Sequence, residues 1–146
     1  MIRSVQPQDL FSVIKIAHES LPERYNPNLF NSFYESFPEG FLIAEKNHKI
    51  IGFVIGVKIH TDTAKILMLS INKKHRRQKI GSSLIKHFMQ IMISHNISII
   101  DLEVRTNNTI AISFYKKHGF YLHEKISGFY QNGEDAYNMK YMLQLN

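Results

Sequence analysis

The chain has 146 residues, 44% of them hydrophobic, which fits one domain over residues 1–146 with a sizeable core and argues against disorder. It contains no cysteine, so disulfides, thiolate metal sites and a cysteine acyl-enzyme are excluded, and any acyl transfer must be direct or use a hydroxyl. The formal net charge of +6, with eight histidines counted neutral, points to an anionic partner. No apolar run approaches a membrane span and MIRSVQPQDL has no apolar signal core, so a cytoplasmic protein away from membranes is expected.

In chain order, Met1 to Val5 reads as a short strand. Pro7 suits a first helical turn, Asp9 lies near its positive end, and Leu10, Val13, Ile14, Ala17 and Leu21 form the apolar stripe of a helix that Pro22 ends. After the loop Leu21 to Pro27, Asn28 to Phe37 reads as a second helix whose Phe30, Phe33 and Phe37 are expected in the core. The period then changes to that of strands. Phe41 to Glu45 and Ile50 to Ile59 form a hairpin across Lys46 to Lys49, and Gly52 and Gly56 inside its second arm suggest a bend or a close approach of backbone. Thr61 to Ala64 turns into a central strand bearing Ile66, Leu67, Met68, Leu69 and Ile71.

Behind that strand come Lys73, Lys74, His75, Arg76, Arg77 and Lys79, then Gly81 and a helix from Ile80 to about Ser94 with Ile80, Leu84, Ile85, Phe88, Met89 and Met92 on one stripe. A basic turn at a helix N-terminus combines free N–H groups, the positive end of the helix dipole and side-chain charge, and so suits a pyrophosphate. The GxxxxGK[ST] and GxGxxG patterns do not occur. A plain solvated surface and nucleic acid are the alternatives, but no RNP-type, zinc-finger or GxxG signature accompanies the charge, so no specific nucleic acid is expected. Ser98 to Arg105 reads as a strand, Thr106 to Thr109 caps a helix with Ala111, Phe114, Tyr115 and His118, and Gly119 stops it. Strands around Tyr121 to Ile126 and Tyr137 to Leu145 complete a mixed α/β layering with helices on both faces of a sheet. No HExxH motif or metal-ligand spacing is present, and no metal is expected.

Arg76-Arg77-Gln78-Lys79-Ile80-Gly81 resembles the acetyl-coenzyme A (acetyl-CoA) signature Q/R-x-x-G-x-G/A of the GCN5-related N-acetyltransferases, with Lys79 where the first glycine is expected. LPERY at Leu21 to Tyr25, LEVR at Leu102 to Arg105 and GEDAY within Phe129 to Met139 narrow the resemblance to the branch that acetylates protein N-termini. That branch includes the bacterial ribosomal-protein alanine acetyltransferases and the archaeal and eukaryotic N-terminal acetyltransferases.

The resemblance implies the GNAT fold, with a largely antiparallel mixed sheet, and acetyl-CoA as acetyl donor. Its cofactor-binding positions would be Leu69, Ser70 and Ile71 on a splayed central strand, Arg76, Arg77, Gln78, Lys79, Ile80, Gly81 and Ser82 around the helix start, and Asn108 on the pantetheine arm. Glu23, Tyr25 and Tyr130 would line the peptide groove, and Phe129 falls where relatives often carry a tyrosine. Protein N-termini would be the substrate, with transient ribosome proximity.

Acetyl transfer needs a neutral amine, a place for charge on the thioester oxygen, and a proton for the leaving thiolate. Glu103, acting through water, is the candidate base, although a strand carboxylate there could instead pair with Arg105 on the same face. Tyr115 is the candidate acid, with core packing as its plain alternative, and Asn108 could serve as an ordinary helix cap. Neutralising an α-amino group of pKa near 8 at pH 7 costs about 1.4 kcal/mol, whereas a lysine near 10.4 costs over three times as much. A water-relayed carboxylate therefore suits an N-terminus better than a lysine. Two rivals remain: the same fold acting on a small amine, polyamine or lysine, and a non-catalytic acyl-CoA or nucleic-acid binding module.

Overall fold

The computed structural model describes residues 1–21 and 25–143. The elements are β1 (Ile2–Ser4), α1 (Leu10–Ser20), α2 (Pro27–Ser36), β2 (Phe41–Lys46), β3 (Lys49–His60), β4 (Thr63–Ile71), α3 (Ile80–Ser94), β5 (Ile99–Arg105), α4 (Thr109–Lys117), β6 (Tyr121–Ile126) and β7 (Ala136–Met142). This is the α/β order expected from the sequence, with boundaries differing by a few residues at the turns. The β2–β3 connection is shorter than expected, because Asn47 and His48 both take positive φ, 52° and 63°, the paired left-handed conformation of a tight hairpin turn.

The strands form one seven-stranded sheet in the order β1-β2-β3-β4-β5-β7-β6. Every neighbour pair is antiparallel except β4 and β5, which are parallel. A parallel pair needs a crossover, and α3 supplies it. On one face α3 packs Leu84, Ile85, Phe88 and Met92 against Leu42, Val54, Ala64, Ile66, Ile100 and Leu102. On the other face Val13, Ile16 and Ala17 of α1 and Phe30 of α2 meet Phe41, Ile43, Phe53, Ile55 and Met68. Phe30 and Phe37 are buried as expected, while Phe33 is only partly buried and lines the cavity described below.

Two features of β4 position the site. The first is a bulge opposite Ile55 and Gly56, where Met68 pairs with Ile55 and Ile66 with Gly56, so that Leu67 is the extra residue. The alternation of faces slips there: Ala64 and Ile66 join the α3-side core, Met68 joins the α1-side core, and Leu69 and Ile71 return to the α3 side. Gly56 shows why glycine stands beside the bulge, since a Cβ there would lie 2.3 Å from the Phe88 ring. The second feature is the pairing with β5, which runs only from Thr63 to Lys65 against Ile99 to Asp101. Ser98 N and Ile99 N donate to Asp62 O at 2.8 and 3.1 Å and close that end. Beyond Lys65 the two strands diverge. The splay, which the sequence carried only by resemblance, is therefore present.

Candidate active site

The wedge between β4 and β5 opens into a cavity of about 700 Å³. Leu67 and Leu69 line it from β4, Glu103 and Arg105 from β5, Asn108 and Tyr115 from α4, Tyr25 and Phe33 from the α1–α2 side, and Phe129 and Tyr130 from the β6–β7 connection. The structure thus brings Glu103, Tyr115, Asn108, Leu69, Tyr25 and Tyr130 to one cavity, although they are dispersed through the sequence. Ser70 is buried and Ile71 partly buried on the same strand. Glu23 lies outside the described residues.

Among the described residues, the β4 edge facing the wedge has no strand partner from Ile66 onward. At its end Arg76 Nε donates to Ile71 O at 3.2 Å. The basic turn then holds two left-handed residues, Arg77 at φ 68° and Lys79 at φ 62°. Lys79 is the N-cap of α3 and offers its first turn no side-chain hydrogen bond. The motif glycine that Lys79 replaces is thereby explained, since this backbone conformation favours glycine whatever the side chain does. Arg76, Arg77, Gln78 and Lys79 are exposed around the uncapped helix end, and Ile80, Gly81 and Ser82 form its first turn. Gly81 also lets α3 approach α4, because a Cβ there would meet the Phe114 ring at 3.3 Å. Free N–H donors, a positive dipole end and exposed cations fit a diphosphate, and the unpartnered strand edge fits an extended amide-bearing arm. The donor set therefore suits coenzyme A.

Glu103 does not pair with Arg105. Its carboxylate accepts from Lys65 Nζ at 2.8 and 3.0 Å and from Asn138 Nδ2 at 2.8 Å. Parity put Glu103 and Arg105 on one face, but Lys65 across the wedge and Asn138 on β7, in register with Glu103, are nearer partners. Arg105 is turned instead to the β6–β7 connection, where its Nε donates to Glu134 at 3.2 Å and its guanidinium lies 3.9 Å from the Tyr130 ring centroid. Glu134 also accepts from Asn107 and Asn132, and these hydrogen bonds, Asn132 first, hold its carboxyl below the ordinary range. Asp135 accepts from Gly128 N, so both acids of GEDAY fasten their own loop.

Tyr115 stands on α4 with its ring edge-on to Phe114 and Phe120, at 5.3 and 5.4 Å. Burial, and then the neighbouring Tyr130, push its phenol well above the ordinary value. It therefore stays protonated across the neutral range, as an acid must. Asn108 caps α4, its side-chain oxygen accepting from Ala111 N at 3.1 Å, while its residue also lines the cavity. Phe129 is half-exposed at the mouth of the cavity.

Sequence reasoning missed Lys65, Asp101 and Asn138. The available signal was a set of polar side chains at alternating positions in otherwise apolar strands: Asp101, Glu103 and Arg105 on β5, and Asn138 and Lys140 on β7. Among the described residues no group of three metal-ligating side chains gathers, and no helix is long and apolar enough to cross a membrane.

The Acetyltransferase (GNAT) family matches over residues 10–120. An N-alpha-acetyltransferase 30 of Dictyostelium discoideum is 35% identical over 97% of this chain and 75% of its own length. The crystal structure of Ard1 from Thermoplasma volcanium, 33% identical, superposes with a TM-score of 0.95 over 99% of this chain and 97% of that one. Naa50 of Arabidopsis thaliana in complex with the bisubstrate analogue CoA-Ac-MVNAL, 27% identical, superposes with a TM-score of 0.83 over 96% of each chain. The chain belongs to the acetyltransferase (GNAT) family, in its N-alpha-acetyltransferase branch, and is an acetyl-CoA-dependent N-acetyltransferase.

Proposed function

We propose that this chain, acting as one domain, acetylates the free α-amino group of protein N-termini by direct attack of the amine on acetyl-CoA in a ternary complex. The observation that carries the reading is that a base candidate, an acid candidate and two tyrosines from the peptide-flanking loops line one cavity at the splay. N-alpha-acetyltransferase relatives spanning nearly the whole chain support the same acceptor.

Acetyl-CoA supplies an activated acyl carbon. Leu69, Ser70 and Ile71 would hold its pantetheine arm along the free β4 edge, with Asn108 opposite, and Arg76 to Ser82 would hold its phosphates. Backbone donors on β4 at the bulge would face the thioester oxygen, where charge develops. Glu103 takes the proton of the incoming amine through water, and Tyr115 donates to the departing sulfur. Tyr25 and Tyr130 would line the peptide groove, the role that the family resemblance also gives Glu23. A cytoplasmic place near ribosomes, where new N-termini emerge, belongs to the same reading.

The test is acetyl transfer to peptides beginning with Ser, Ala, Thr, Met-Leu, Met-Glu and Glu, beside N-blocked peptides carrying one internal lysine and beside spermidine. Turnover confined to free N-termini is expected. Turnover only on lysine or spermidine would overturn the acceptor and keep the fold.

A further inference from the structure

The candidate base is already occupied. Lys65 Nζ lies within hydrogen-bond distance of both Glu103 oxygens, and Asn138 Nδ2 takes a further site on Oε2. Glu103 and Asp101 have side chains about one-tenth exposed, so water compensates little of this pairing. An α-ammonium entering the wedge meets a carboxylate neutralised by another cation, and beside it an ammonium of its own sign.

The same cluster contains a second place for that cation. Asp101 is two residues before Glu103 on β5, at the last paired position of the wedge, in register with Lys65. Its Oδ2 accepts from Lys140 Nζ at 3.1 Å. Its Oδ1 is buried without a hydrogen-bond partner among the described residues, and lies 3.6 Å from Lys65 Nζ. That 3.6 Å ion pair is too long to be a hydrogen bond, and a buried charged acceptor without one favours a donor that can reach it. A shift of Nζ by less than the width of an atom fills it.

We infer that Lys65 is a counter-ion shuttle, which holds Glu103 at rest and passes to Asp101 Oδ1 when the ammonium of the substrate takes its place on Glu103. This rests on the reading of Glu103 as base. The proton balance is simple. The substrate ammonium gives one proton to the Glu103 carboxylate through water, the free amine attacks the acyl carbon, the C–S bond breaks, and the thiolate takes the Tyr115 proton. The proton that the amide nitrogen still sheds re-protonates Tyr115 through water, and Glu103 loses its own to solvent as Lys65 returns. The groups facing this exchange are Lys65 of β4, Asp101 and Arg105 of β5, and Asn138 and Lys140 of β7, with Glu124 of β6 opposite Asn138. Arg105 is held by Glu134, and Lys140 by Asp101, so neither competes for Glu103. Burial works against the Lys65 charge, but the bond and charge of Glu103, and then Asp101, outweigh it and raise the Lys65 pKa in the resting position.

Four variants test the shuttle with the same peptide substrate, with coenzyme A titration as the check on folding. Asp101→Asn removes the second station, and kcat should fall about tenfold or more with coenzyme A affinity unchanged. Adding Lys65→Met to Asp101→Asn should raise kcat again, because no cation is then trapped on Glu103. Lys65→Arg should also be slow, since a guanidinium grips both carboxylate oxygens at once and releases them less readily than an ammonium. If Lys65 served only to support the fold, arginine would replace it well. Glu103→Gln separates the two readings: if it keeps wild-type turnover, the base assignment itself fails. If Glu103→Gln is inactive while Asp101→Asn and Lys65→Arg keep kcat within about twofold, the base stands and the shuttle is overturned. An Asp101→Asn loss that Lys65→Met does not relieve, with Lys65→Arg active, overturns it equally.

Discussion

The guanidinium of Arg105 lies 3.9 Å from the centroid of the Tyr130 ring while its Nε donates to Glu134, so one side chain ties the end of β5 to the loop that flanks the cavity. A partly buried cation–π contact of this kind is worth about 1–2 kcal/mol. Arg105→Met should therefore raise KM for peptide about five- to thirtyfold. Coenzyme A affinity should not change, because the basic turn proposed to hold its phosphates is on another element. Steady-state kinetics with each substrate varied in turn decides this, and a change confined to acetyl-CoA would place Arg105 elsewhere in the reaction.

Tyr115 is held protonated by burial and by Tyr130. Tyr115→Phe keeps the ring packed between Phe114 and Phe120 and removes only the hydroxyl, so the fold should survive while kcat falls on the order of a hundredfold. Because the phenol is raised above its ordinary value near 10, its ionisation should cause no loss of wild-type activity on the alkaline side below about pH 10. A basic limb at lower pH that vanishes in the Phe variant would contradict this account.

At Lys79 the backbone sits at φ 62° and ψ 20°, where a side chain is strained and glycine is not. Lys79→Gly should stabilise the protein by about 1 kcal/mol after allowing for the freer unfolded chain, raising Tm by roughly 2–4 °C. The backbone cradle is unchanged but one exposed cation is lost. Coenzyme A binding should weaken by no more than about fivefold, and the difference should shrink as salt is raised. Calorimetry and a titration at two salt concentrations measure both.

Arg3 donates to Asp9 at 2.8 and 3.1 Å and reaches Glu45 at 3.3 Å, pinning β1 to the start of α1 and to β2. The hydrogen bond from Arg3 holds the buried Asp9 carboxyl below its ordinary value. With the folded pKa depressed, the stabilisation is present above the unfolded value near 3.9 and is lost as pH falls through the folded one. Asp9→Asn should cost roughly 2 kcal/mol at pH 7, and the gap to wild type should narrow as pH drops below about 4. Urea unfolding at both pH values tests the sign.

The helices and strands were readable because each is dictated locally. The α3 stripe of Leu84, Ile85, Phe88 and Met92 is buried as its spacing requires, and Asn108 caps α4 as its position before Thr109 suggests. The bulge at Leu67 left only an indirect trace, the glycine at position 56, because bulges arise from pairing between strands and not from either strand alone. The α/β class was thus determined by the sequence itself, through period and capping, and the acetyltransferase family through short motifs such as Arg76 to Gly81 and Leu102 to Arg105. The partner of Glu103 was decided only by tertiary structure. Arg105 is two residues away and Lys65 is thirty-eight, yet register and splay set Lys65 against the carboxylate and send Arg105 to Glu134. Ion pairing follows distance in space, and that distance exists only once β4, β5 and β7 are in one sheet.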